Sequence, residues 1–183
     1  MDQLFAPWRI EWVERDERNP DVDCVFCEYP DREDAREHLV VARGGEACVM
    51  LNNYPYNPGH LMVIPRQHTG RFEDLDRSVL VDQARLKQET IAALTDGLDP
   101  DGWNVGMNLG GEAAGGSIDD HVHTHVVPRW QGDSNFMAVI SDTSVIVEAL
   151  DETYDRLHAA FADRPGATVA GPDAAVELDL SER

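Results

Sequence analysis

Three apolar runs early in the chain have strand length: HLVVAR (residues 38–43), EACVMLN (46–52) and HLMVIP (60–65). Gly44 and Gly45 mark a turn between the first two, and the proline-rich NNYPYNPGH separates the second from the third. GWNVGMNLG (102–110) and HVHTHVV (121–127) read as two further strands, joined by the glycine-rich GEAAGGSIDD. Two stretches change to the helical period. Leu80, Ala84, Ile91 and Leu94 predict a helix opened by Asp76, running to about Thr95 and stopped by Gly97, with Lys87 interrupting its stripe. Ile146, Leu150, Tyr154, Leu157 and Phe161 step by three and four and predict a second helix over residues 143–162. Strand pairs, a helix and then more strands predict an α+β fold on an antiparallel sheet.

The flanks read differently. LFAPWRIEWV (4–13) mixes aromatic, apolar and charged residues and predicts an ordered N-terminal arm; a polar loop follows to Asp23. Beyond Pro165 the chain is mostly Gly, Ala, Asp and Glu. The expectation is one domain over residues 1–163 and a solvated or loosely attached acidic tail over 164–183.

Charge narrows the classes of partner. The chain carries 35 acidic and 15 basic residues for a net charge of −20, and Lys87 is its only lysine. The acids are spread along a chain that is 42% apolar, which argues against disorder. An acidic, lysine-poor chain of this kind reads as adapted to high salt. No nucleic-acid partner is expected, because neutralising phosphates needs clustered Lys and Arg. No membrane partner is expected either, since no apolar run approaches the roughly 20 residues of a span and the N-terminus lacks a signal-peptide pattern. Three cysteines are too few for a disulfide framework, so the expected compartment is the cytoplasm with reduced thiols.

The candidate chemistry centres on HVHTHVVPRW (121–130). If this stretch is one strand, His121, His123 and His125 form a row on one face, roughly 7 Å between neighbours, with Val122, Thr124 and Val126 on the other. Such a row can hold a metal, or it can supply a nucleophile with helpers. Cys24 and Cys27 form a C-x-x-C, which needs two more ligands to close a tetrahedral zinc site; His38, His60, His68 and His121 are the candidates. A redox pair and two unconnected buried thiols are the alternatives, although CVFCEYP in a loop lacks the strand-to-helix setting of a thioredoxin-type pair. Cys48 reads as a small core residue. NLGGEAAGGS (108–117) supplies backbone N–H groups with room for an anion to approach. A neutral imidazole whose second nitrogen is held as N–H can attack phosphorus, and flanking imidazoles can donate to its oxygens.

HVHTHVV, together with LFAPWRIEWV, CVFC, LNNYPYNPGHLMVIPRQH, GWNVGMNLG and HVHTHVVPRWQGDSNFM, resembles the histidine triad (HIT) family, in its dinucleoside polyphosphate hydrolase and phosphorylase branch. The resemblance covers about residues 4–163. It implies a HIT-like α+β domain with one long helix and a C-terminal helix, paired as a homodimer, with a mononucleotide pocket for an adenosine moiety. It makes His123 the nucleophile that forms a nucleotidyl-histidine, with His125 and His60 lining the phosphate and Asn52 binding the ribose. Asn108 and Ser117 stand where other branches carry glutamines that hold phosphate and leaving group, and Gly116 joins them in the nucleotide-binding set. Cys24, Cys27, His68 and His121 match the zinc ligands of the related uridylyltransferases. The expected function is a nucleotide hydrolase or transferase acting at the α-phosphate of dinucleoside polyphosphates. A diadenosine tetraphosphate phosphorylase, a nucleotide-binding regulatory module with little turnover and a hydrolase using all three histidines on zinc are the alternatives.

Overall fold

The computed structural model describes residues 22–114, 118–133 and 149–181. The expected N-terminal arm and Ile146 lie outside these residues. Seven strands form one sheet in the order β4-β5-β3-β2-β1-β7-β6. They are β1 (Val40–Gly44), β2 (Ala47–Leu51), β3 (Leu61–Pro65), β4 (Gly102–Gly106), β5 (Thr124–Arg129), β6 (Ala167–Thr168) and β7 (Val176–Leu178). The helices are α1 (Val25–Glu28), α2 (Arg77–Leu98) and α3 (Leu150–Ala162). No described helix is long and apolar enough to cross a membrane.

The period-2 pattern of β2 and β3 divides the molecule into two faces. Val49, Leu51, Leu61 and Val63 pack with Leu86, Leu94, Leu157 and Phe161 of α2 and α3. Cys48, Met50, Met62 and Ile64 point the other way and pack with Cys24 and Phe26 of the α1 region. His125 pairs directly with Met62, and opposed antiparallel residues share a face, so the histidines lie on the α1 side.

Four expectations change. The chain from 164 onwards is no loose tail: β7 pairs in parallel with β1, through Ala42 opposite Val176, and Ala175, Val176, Leu178 and Leu180 are buried. The sheet is therefore antiparallel except at this one pair. Helix α2 turns a different face inward from the one predicted, burying Val79, Gln83, Leu86, Thr90, Ala93, Leu94 and Leu98, while Ala84 is exposed and Leu80 and Ile91 are half-buried. Gly97 does not stop that helix either. A Cβ there would lie 3.1 Å from the Ala160 Cβ, so the glycine lets α2 and α3 approach, and Asp99 ends the helix in the left-handed region. Finally, the segment around C-x-x-C is a short helix followed by a 3-10 turn at Tyr29–Asp31, not a loop.

Candidate active site and metal cluster

The histidine row is bent. Strand β5 begins at Thr124, so only His125 sits in the ladder, while His121 and His123 lie in the extended chain leading into it. The row divides accordingly. His121 is fully buried and turns its Nδ1 to the thiols, 3.4 Å from Cys24 Sγ and 3.6 Å from Cys27 Sγ. Its Nε2–H donates to the Pro65 carbonyl at 2.8 Å, which leaves the lone pair on Nδ1. His68, on the loop after β3, places Nδ1 3.2 Å from Cys27 Sγ. A close approach carries that loop: a Cβ at Gly70 would fall 2.3 Å from the Asp119 carbonyl oxygen.

The ligand atoms of Cys24, Cys27, His68 and His121 all lie within 4.8 Å of one another. Zinc bonds of about 2.3 Å to sulfur and 2.0 Å to nitrogen at tetrahedral angles separate S from N by about 3.5 Å. The three measured S–N separations agree with that figure, and the buried hydrogen bond to Pro65 is the outer support such a ligand needs. The donor set fits a tetrahedral ion. Burial, followed by the neighbouring Cys24, pushes the Cys27 thiol up to about 12, so a Cys27 thiolate here requires a cation. Burial, above all other causes, pushes the Cys48 thiol to about 12 as well; Cys48 is core, as predicted.

His123 has the opposite arrangement. Its Nδ1–H donates to the His121 carbonyl at 3.0 Å, leaving Nε2 with the lone pair. Burial holds its pKa below the usual histidine value, against the opposing effect of that hydrogen bond. The imidazole is thus neutral at pH 7 and carries a lone pair on the nitrogen not engaged by the backbone. The hydrogen-bond partners of His60 and His125 fix their tautomers in turn. The Tyr56 backbone N–H donates to His60 Nδ1 at 3.2 Å, and His60 Nε2 lies 3.0 Å from His125 Nδ1. In their neutral forms His60 donates to His125, and the remaining hydrogen of His125 is on Nε2. The His123 and His125 ring centroids are 4.8 Å apart, nearly perpendicular. A ring nitrogen that carries a lone pair and a ring that carries an N–H are therefore adjacent. The three rings of the row have no common focus, which removes the arrangement of all three histidines on one ion.

The turn between β2 and β3 supports this relay. Asn52 Oδ1 accepts the Tyr54 N–H at 2.9 Å, the Asn52 N–H donates to the His60 carbonyl at 2.9 Å, and the Asn52 Nδ2 lies 3.5 Å from His60 Nε2. Asn57 donates to both the Pro128 carbonyl and Asp133, each at 2.9 Å, and Arg129 pairs with Asp133 through two nitrogens. Asn108 is half-buried two residues beyond Gly106, the β4 partner of His125, and so leaves the sheet near the level of His123. Gly116 and Ser117 lie outside the described residues. Sequence reasoning passed over Phe26, Tyr56 and Asn57. The Tyr56 ring stacks on His60 at 4.9 Å, and Phe26 lies against both His121 and His123.

Residues 34–132 match the HIT domain. The chain belongs to the HIT family. A protein of Mycobacterium tuberculosis named AP-4-A phosphorylase is 39% identical over 171 residues, covering 90% of this chain and 87% of the relative. Among solved structures, a Zn-bound histidine triad family protein from Mycobacterium smegmatis superposes with a TM-score of 0.60 and 29% identity, over 76% of this chain and 94% of that one. A histidine triad nucleotide-binding protein from Sulfolobus tokodaii, at 22% identity and a TM-score of 0.59 over 76% and 93%, shares the fold. The HIT homologues include named enzymes, and the Cys2His2 cluster of this HIT protein is compatible with zinc.

Proposed function

We propose that this HIT protein cleaves dinucleoside polyphosphates at an α-phosphate through a nucleotidyl group on His123, and passes that group to inorganic phosphate. The observation that carries the reading is the His123 geometry: a buried, neutral ring with Nδ1 fixed on the His121 carbonyl and Nε2 carrying the lone pair. In the first step Nε2 attacks the α-phosphorus, an N–P bond forms, and the bond to the bridging oxygen breaks, its electrons leaving with the second nucleotide. His125 Nε2–H donates to an oxygen on which charge develops. In the second step a phosphate oxygen attacks the phosphorus and returns the electron pair to Nε2. A bound zinc ion at Cys24, Cys27, His68 and His121 supplies structure, fixing the α1 turn and the chain entering β5. Asn52, Asn108, Gly116 and Ser117 are assigned to the nucleotide, and its base is taken to be adenine.

Phosphate as acceptor, with diadenosine tetraphosphate as substrate, is supported by the name and the 39% identity of the mycobacterial relative. The test is incubation with diadenosine tetraphosphate with and without phosphate. ADP and ATP are expected, and only when phosphate is present. AMP and ATP appearing without phosphate would make water the acceptor and the protein a hydrolase.

The remaining assignments are a cytoplasmic, salt-adapted homodimer. Strand β4 ends the sheet, pairing with β5 alone among the described strands, and its Asn104, Val105 and Gly106 are exposed, so its open edge suits a second copy. The net charge of −20 makes stability and substrate approach depend on salt. Screening shortens to about 3 Å at 1 M, so the melting temperature should rise steadily from dilute to molar potassium chloride. Light scattering across the same series should give twice the chain mass. A melting temperature indifferent to salt would reject the halophilic assignment, and a monomer at molar salt would reject the dimer.

A further inference from the structure

We propose that Phe26 is a positioning residue for the nucleophile: its ring, set between the two cysteines, holds the His123 imidazole in its attacking orientation. The inference rests on the reading of His123 given above. The β3–β5 ladder begins at Val63 opposite Thr124, so no strand pairing fixes the chain at His123. One hydrogen bond, from Nδ1 to the His121 carbonyl, restrains the ring but leaves it free to swing about that contact. Packing must supply the rest. Phe26 is 3% exposed, and its ring centroid lies 4.9 Å from that of His123 at a 58° tilt. The same ring meets His121 edge-on at 5.7 Å and 88°. With His125 against it nearly perpendicular at 4.8 Å, the His123 ring is bounded by two aromatic neighbours and one carbonyl.

The placement of Phe26 is itself narrowly determined. Helix α1 is only four residues long, Val25–Glu28, and the residues on either side of Val25 and Phe26 are Cys24 and Cys27. The cluster that gathers Cys24, Cys27 and His121 therefore sets both contacts of the nucleophile, the Phe26 ring and the His121 carbonyl. A core position needs only apolar volume, and Cys48, Met50, Met62 and Ile64 around Phe26 would accept leucine or methionine. The flat ring against an imidazole is what those residues cannot reproduce.

The experiment uses the full chain as purified with its metal, carrying Phe26→Leu and, as a volume-conserving second variant, Phe26→Met. Three quantities are measured: kcat and KM for diadenosine tetraphosphate, metal per chain, and the ring-nitrogen tautomer of His123 by long-range proton–nitrogen NMR. The expected result is a kcat lowered roughly ten- to a hundredfold, with KM little changed, because misplacing a reacting group acts on the bound state. Metal content should stay at the wild-type value, while His123 changes from the single Nδ1–H tautomer to a mixture. Unchanged kcat with a single tautomer in both variants would overturn the proposal. So would a loss of rate that tracks a loss of metal, since Phe26 would then serve the cluster and not the ring. A wild-type protein without turnover would defeat the proposed function, and the tautomer comparison would still decide the role of Phe26.

Discussion

Replacing His123 by alanine is expected to abolish turnover and to leave nucleotide binding nearly intact. The expected loss in kcat is at least roughly 10⁴-fold, because the covalent route is removed while the groups that touch phosphate remain. Those groups are His60, His125 and the 108–117 loop in the reading above; His60 and His125 hold each other through a bond that does not involve His123. The His60–His125 bond is set by the Tyr56 N–H, and the turn that carries it is tied to Pro128 and Asp133 through Asn57. The check is to quench a reaction on α-labelled dinucleotide in alkali, where an N–P bond survives and an acyl phosphate does not. Label stays on the wild-type protein and is absent from His123→Ala. Two in-line displacements also retain configuration at a chiral α-phosphorus. Inversion, or substantial turnover by the variant, would mean that water or phosphate attacks directly and that the role given to His123 is wrong.

Removing an ion bound at Cys24, Cys27, His68 and His121 is expected to loosen one corner of the molecule and to leave the rest folded. At a free concentration near 1,000 times Kd, a bound ion contributes about 4 kcal/mol. Without it, the buried Cys24 thiol, the half-buried Cys27 thiol and the His121 Nδ1 lone pair face one another. The α1 turn has no side-chain cap, so few local bonds replace what is lost. Its remaining ties include Phe26 in the apolar layer, the Arg43 guanidinium, which donates to the Pro30 and Arg32 carbonyls, the Arg66–Asp31 pair and the stacking of Tyr29 on His38. Chelation, or Cys24→Ser, is expected to abolish slow hydrogen exchange over residues 24–31 and 66–70 while α2 and β2 keep theirs. Metal analysis of protein purified without chelator should give one zinc per chain. Full protection after verified metal loss would remove the structural role assigned to these four residues. His121→Ala should resemble the chelated state, and His125→Ala should slow turnover less than His123→Ala.

Much of this was legible in the sequence, and what escaped has identifiable causes. Strands β1, β2 and β3 follow from apolar runs of strand length bounded by glycine and proline, and the turn at Gly44 and Gly45 falls where those residues put it. The inward face of α2 was misread because three of its buried residues, Gln83, Glu89 and Thr90, are polar. Gln83 donates to the Val63 carbonyl at 3.3 Å and Thr90 to the Leu86 carbonyl at 2.8 Å, so each carries its own hydrogen bond into the core. Val176, Leu178 and Leu180 do alternate with Glu177 and Asp179, a strand signal obscured by the acidic composition around it. At the site, C-x-x-C with two distant histidines pointed to a cluster, and the fold brings all four together. The bend before Thr124 was not legible, since the β-branched residues around the histidines favour a strand throughout. Phe26 carried no signal either: a phenylalanine between two cysteines acquires meaning only when His123 is seen against it.

The parallel pairing of β7 with β1 has a consequence for how the chain is made. Roughly 130 residues separate the two strands, and at about 5–20 residues per second a ribosome needs on the order of 7 to 26 s to cross that distance. During that interval β1 can pair with β2 but has no neighbour on its other side. An open strand edge is a template for any nearby chain, including a second nascent copy on the same message. The segment that ends the wait is the acidic AVELDL, whose Glu177 reaches Arg43 on β1 at 2.9 Å. A stall or early stop before the codons for β7 therefore releases a polypeptide with its histidines, cysteines and both long helices already made, and with the edge of β1 still open to aggregation.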